Sequence, residues 1–204
     1  MTGGSNFKLF IEVFVTLFVI MDPPGTIPLF LSLTGGRSNE MRRRLAWQAV
    51  LVAFFVITVF ALFGQSILNY LGITLPAMQA AGGLLLLLVA LELLTGKADE
   101  PAQTSNVNVA LVPLGTPLLA GPGAIVATIV FVRGVHGVAD GATIAAAIVA
   151  VHVVLWLFLR FSVGIIKVIR ESGVTLITRI AGLLLSAIAV QLIADAITAF
   201  IADA

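Results

Sequence analysis

Apolar and polar positions fall in long blocks along this chain. Six apolar runs, near the ~20 residues that a helix needs to cross a bilayer, extend approximately over 8–33, 44–66, 75–95, 108–132, 140–162 and 176–200. Polar residues collect between them, in Thr34 to Arg43, Gly64 to Thr74, Thr95 to Val107, Arg133 to Ala139 and Ser162 to Thr175. The pattern predicts six transmembrane helices with short connections, leaving no room for a soluble catalytic or nucleotide-binding domain. Two runs are interrupted by Pro/Gly clusters: Asp22-Pro23-Pro24-Gly25-Thr26-Ile27-Pro28 in the first, and Pro113-Leu114-Gly115-Thr116-Pro117 through Gly121-Pro122-Gly123 in the fourth. Proline removes a backbone donor and clashes with the preceding turn, so neither run can be one unbroken helix.

The interruptions recur at a nearly fixed distance. A shift of 98 superposes Pro24-Gly25 and Ile27 on Pro122-Gly123 and Ile125, and a shift of 100 superposes Ala81-Gly82 with Leu84-Leu85 on Ala181-Gly182 with Leu184-Leu185. A unit of three spans reverses orientation when duplicated. The expected fold is therefore an all-α membrane protein of six transmembrane helices, built as two inverted three-helix repeats with spans one and four broken. It forms a single transmembrane domain over 1–204, with repeat one at about 8–95 and repeat two at about 108–200.

Composition agrees: 60% of the 204 residues are hydrophobic, 10% are charged, and the mean hydropathy is +1.15. Charge placement adds an orientation. Arg37, Arg42, Arg43, Arg44, Lys97, Arg160, Lys167, Arg170 and Arg179 lie on one side of the six-span layout, against Lys8 and Arg133 on the other. Nine against two predicts that the first group faces the cytoplasm and that both termini face outward. The first run meets Asp-Pro-Pro rather than a small-residue cleavage site and reads as a retained span. With no cysteine, the chain has no disulfide or thiolate chemistry. No basic patch for nucleic acid is present, and GxxxxGK[ST], HExxH and GxSxG are missing. No nucleophile–base pair stands out, so an enzyme is not expected, nor is a metal or cofactor.

The chemistry concentrates at the breaks. Asp22 lies fourteen residues into span one, ~21 Å along a helix, where a carboxylate is costly and normally serves a cavity, a partner or a proton. Pro23, Pro24 and Gly25 start a second half-helix, whose N–H groups would suit a substrate carboxylate, while carbonyls of the preceding half would suit an ammonium group. Thr26, Ser32 and Thr34 add hydroxyls, and Pro28, which closes the motif, is a further candidate substrate-binding residue. The plainer reading of Asp22 is a helix cap. In the second break Gly115, Thr116, Pro117, Gly121, Pro122 and Gly123 keep side chains small, either for close packing or as the backbone wall of a pocket. Such a pocket would be narrow and nearly neutral, suited to a small zwitterion. His152, near the middle of span five, is a candidate proton relay or a buried neutral ring. Glu12, Glu92 and Asp195 are expected near the interfaces, Gln48, Gln65, Gln79 and Gln191 as bridges between helices, and Trp47 and Trp156 as interfacial anchors.

The segment from Asp22-Pro23-Pro24-Gly25 to Ser32-Leu33-Thr34 resembles the first signature of the MarC family of bacterial inner-membrane proteins. Pro113-Leu114-Gly115-Thr116-Pro117 through Ala124-Ile125 resembles its second, and Ala81-Gly82-Gly83-Leu84-Leu85 and Arg179-Ile180-Ala181-Gly182 resemble its third- and sixth-span segments. The resemblance implies a six-span protein of the cell inner membrane, of the small neutral amino acid transporter type. Three departures bear on the substrate: Thr26 where Asn is common, Pro24 in place of an aliphatic residue, and Gln79 where an arginine often precedes the Gly-Gly pair. The expected function is alternating-access transport of a small neutral amino acid or similar zwitterion, with Asp22 or His152 as candidates for proton coupling. Export or flipping of another small solute, or a non-transporting stress-linked role, are the alternatives. The expected partners are that zwitterion and the lipid bilayer, with a homo-oligomer left open.

Overall fold

A computed structural model describes residues 3–95 and 119–202, and every element among them is a helix. In chain order these are α1 (Gly3–Met21), α2 (Pro23–Leu33), α3 (Asn39–Leu71), α4 (Leu75–Thr95), α5 (Pro122–Arg133), α6 (Val138–Arg160) and α7 (Ser162–Ala202). Five candidate spans are long and apolar enough to cross a membrane, the first of them bridging α1 and α2 as Asn6–Pro28. The apolar helix Gly123–Arg133 is shorter, and the chain ahead of it, including the expected start of span four, lies outside the described residues.

Two connections are shorter than the sequence pattern predicts. Helix α3 begins before its arginines because Ser38 caps it, its Oγ accepting from Met41 N at 3.2 Å. At the other end it passes through Gly64, read from sequence as the start of a loop, and stops at Gly72 (φ 66°, ψ 22°). There the N–H groups of Gly72 and Ile73 close the last turn on the Asn69 and Leu68 carbonyls. Gly64 has a packing role instead: a Cβ there would lie 2.6 Å from Ile129 of α5. The stretch 162–175, expected as a connection, is helical as the first part of α7. Its charges mark a kink at Arg170 (φ 61°, ψ 163°) rather than an end.

Packing does not follow chain order. The most extensive contact joins α4 to α7, followed by α1 with α6, α3 with α6 and α3 with α5. Helix α2 lies against α7, α5 against α4, and α1 against α5. Close approach of α4 and α7 depends on glycines, since a Cβ on Gly83 would lie 2.8 Å from the Ala189 carbonyl oxygen and one on Gly182 3.2 Å from that of Ala90. The interior is built from Leu17, Phe30, Ile57, Leu119, Leu155 and Leu185 with small alanines between them. Large apolar side chains such as Phe55, Leu62 and Leu183 point outward, as they do when lipid is the solvent.

Candidate functional site at the broken first span

The break in span one is made by Asp22. Its backbone lies at φ 41°, a left-handed conformation that aspartate tolerates better than most residues. This ends α1 and turns the chain into α2, whose first two residues are Pro23 and Pro24. Prolines suit the start of a helix, where N–H groups have no intrahelical acceptor. The next donor, Gly25 N, bonds the Asp22 carboxylate Oδ1 at 3.2 Å, and Thr26 N bonds the Asp22 carbonyl at 3.0 Å. Asp22 is therefore a cap.

That arrangement alters the expectation for this half-helix. Two of its first N–H groups do not exist and the next two are bonded, so α2 has no free donor for a substrate carboxylate. The carbonyls at the end of α1 are also engaged: the Thr26 hydroxyl donates to Asp22 O at 2.7 Å and to Met21 O at 3.3 Å. Thr34 likewise bonds its own helix, at Phe30 O. Pro28 lies inside α2 and adds no donor.

One group remains uncommitted. Asp22 is only 7% exposed, yet its second oxygen, Oδ2, makes no hydrogen bond. An unpartnered buried carboxylate oxygen is costly, and it stays available to accept a hydrogen bond. Beside it is Gly25, where any Cβ would collide with the Asp22 carboxylate and lie 3.0 Å from Thr178 Oγ1 of α7. Among the described residues the Thr178 hydroxyl has no hydrogen bond. An acceptor, a hydroxyl and a glycine that keeps side-chain bulk out thus converge where α2 meets α7. Thr178 escapes sequence reasoning; its only signal is a hydroxyl in an apolar span, ahead of Arg179-Ile180-Ala181-Gly182.

The second break contributes differently. Gly115, Thr116 and Pro117 lie outside the described residues. Gly121 is the N-cap of α5, with an extended backbone and no side-chain cap, and Pro122 is the first helical residue. Ile125 N reaches Gly121 O at 3.2 Å, and among the described residues no side chain caps the donors before it. Gly123 is filled by the Leu86 side chain of α4, which is close packing.

His152 and Asp22 are not brought together. The His152 ring bonds Ile148 O through Nδ1 at 2.7 Å, stands edge-on to Phe54 at 5.2 Å, and leaves Nε2 without a hydrogen bond. Asp22 lies beside α7, whereas His152 faces α3. Two of the glutamines bond along their own helices rather than bridging: Gln65 to Asn69 and Gln191 to Asp195, both at 2.7 Å. The i,i+4 spacing places those partners on one face. Among the described residues no group of three His, Asp or Glu could hold a metal ion.

Comparison with known proteins gives these residues a family. A model described as "MarC family integral membrane protein" matches residues 7–201. A "UPF0056 membrane protein" of Aquifex aeolicus is 38% identical over 92% of this chain and 91% of its own. UPF0056 membrane protein MJ1677 of Methanocaldococcus jannaschii is 35% identical over 94% and 97%, and YhcE of Escherichia coli is 30% identical over 94% and 93%. None of these three names states a substrate or a reaction, and no solved structure matches the chain. With the family model covering nearly its whole length, the chain belongs to the MarC family of integral membrane proteins.

Proposed function

We propose that this protein is a secondary transporter of small neutral amino acids or similar zwitterions, working by alternating access in the cell inner membrane. The observation that carries the reading is the Asp22 carboxylate, buried at the helix break with one oxygen unpartnered. In this reading Asp22 Oδ2 and Thr178 receive the ammonium group. The substrate carboxylate takes its donors from the N-terminus of α5, because α2 has none to give. The site is then divided between the halves, acid from the first and N–H groups from the second.

An inverted repeat is supported by how the helices pair. Exchanging span one (α1 with α2) for α5, α3 for α6, and α4 for α7 maps the principal packed pairs onto one another. Under that exchange α1 with α6 becomes α5 with α3, and α2 with α7 becomes α5 with α4. The pairs α3 with α6, α4 with α7 and α1 with α5 map onto themselves. One half can then move against the other about a site near the middle. Asp22 is also the proton carrier in this reading.

Uptake of glycine and alanine into proteoliposomes, with and without a pH gradient, tests it. Wild-type protein should transport, and a gradient should change the rate. Asp22→Asn keeps a capping side chain but lacks the charge, so it should fold normally and lose about tenfold or more in uptake, the worth of a charged hydrogen bond. Absence of transport in either direction by folded protein would sink the proposal, and indifference to the gradient would remove the proton.

A further inference from the structure

On the outside of the bundle, away from Asp22, two cavities follow one another along the seam between α3 and α6. The first, about 190 Å³, lies at the arginine-rich end and is lined by Arg42, Arg43 and Arg160 together with Asn39 and Ser162. The second, about 180 Å³, is walled by Trp47, Val50 and Phe54 of α3 and by Val149, Val153 and Trp156 of α6. The register is set by the antiparallel helices. Trp47 follows Arg43 by one turn, Trp156 precedes Arg160 by one turn, and the two indoles meet edge to face at 5.9 Å.

Two of the arginines are held, and no carboxylate neutralises them. Arg42 Nε donates to Thr34 O at 3.3 Å, and the Arg160 guanidinium lies over the Trp156 ring at 5.4 Å and the Phe161 ring at 5.6 Å. Among the described residues no carboxylate pairs with any of the three. Guanidinium groups fixed in this way present forked donors to a phosphate.

We propose that this seam binds an anionic phospholipid, its headgroup phosphate on Arg42, Arg43 and Arg160 and one acyl chain in the apolar cavity along Trp47 and Trp156. Basic clefts between transmembrane helices at the end facing anionic lipid take such headgroups. Length agrees with the assignment: from Arg43 to Phe54 is eleven residues, or ~16 Å of helix, close to half of the ~30 Å hydrocarbon core. A charged mouth and an apolar groove that together span one leaflet match a lipid, whereas a free phosphate would leave the groove empty. The occupant is independent of the transport reading, since no residue of the seam contributes to the Asp22 site.

The test uses the protein's own fluorescence, because its two tryptophans both line the groove. Full-length protein in nanodiscs of zwitterionic lipid receives small fractions of brominated phosphatidylglycerol or brominated phosphatidylcholine with the same chains. Quenching should favour phosphatidylglycerol roughly tenfold or more, as several arginines near a membrane surface would produce. The double variant Arg43→Gln/Arg160→Gln should lose that preference. Val153→Phe, which fills the groove and leaves the charges intact, should weaken quenching by both lipids. Equal quenching by the two lipids in wild type, or a preference that survives Arg43→Gln/Arg160→Gln, would overturn the proposal. So would competition by inorganic phosphate as effective as by phosphatidylglycerol, which would make the seam an ion site.

Discussion

Asp22 divides its carboxylate, because one oxygen caps α2 and the other has no partner. Gly25 makes this possible: it supplies the capped N–H, and its missing Cβ leaves room for the carboxylate and for Thr178. Gly25→Ala should therefore displace Asp22 from the cap. The expected cost is about 1 kcal/mol for the cap plus roughly 1–3 kcal/mol of overpacking, read as a lower Tm in detergent and a loss of substrate uptake. An unchanged Tm would mean that the carboxylate can move aside freely. Much of this site is legible in the sequence. An aspartate followed by two prolines and a glycine inside an apolar run specifies a break and a cap, while the shortage of donors at α2 shows only once Gly25 N and Thr26 N are seen bonded to Asp22. What is not legible is Thr178, which meets the break only through tertiary packing and carries no charge to mark it.

Helices are read less evenly than residues. The start of α4 agrees with the apolar run at 75–95, because the Thr74 hydroxyl accepts from Ala77 N just ahead of it. Helix α3 outgrows its run at both ends, since Arg42 and Arg43 before it and Leu68 and Leu71 after it are good helix formers in water and in lipid alike. Helix-to-helix distance is set by glycines whose roles become plain only once a partner is known. At Gly83 that partner is a backbone oxygen, which no side-chain rotation can move. Gly83→Val should accordingly separate α4 from α7 and lower stability by about 1–3 kcal/mol. Gly137→Ala, in extended backbone with open space around it, should leave stability within about 0.5 kcal/mol. Thermal unfolding of the two variants in parallel checks the contrast, and equal Tm values would remove glycine packing as the determinant.

For the molecule as a whole, orientation is the property on which the transport and lipid readings both draw. The cysteine-free sequence makes it directly measurable. Arg37→Cys, at the arginine-rich end, should react with a membrane-impermeant maleimide only after cells are opened, whereas Gly137→Cys should react in intact cells. The reverse pattern would place the arginines outside. The helix pairing also bears on how the chain is made. The first span packs against α6 and α7, and Thr178 lies 156 residues beyond Asp22. At ordinary synthesis rates that interval is on the order of ten seconds. During it the acidic residue of the first span has entered the bilayer before α7 exists to shelter it. The nascent chain must hold the break at Asp22 without its neighbour until α7 emerges, so α7 acts as the closing piece of a structure begun at the first span.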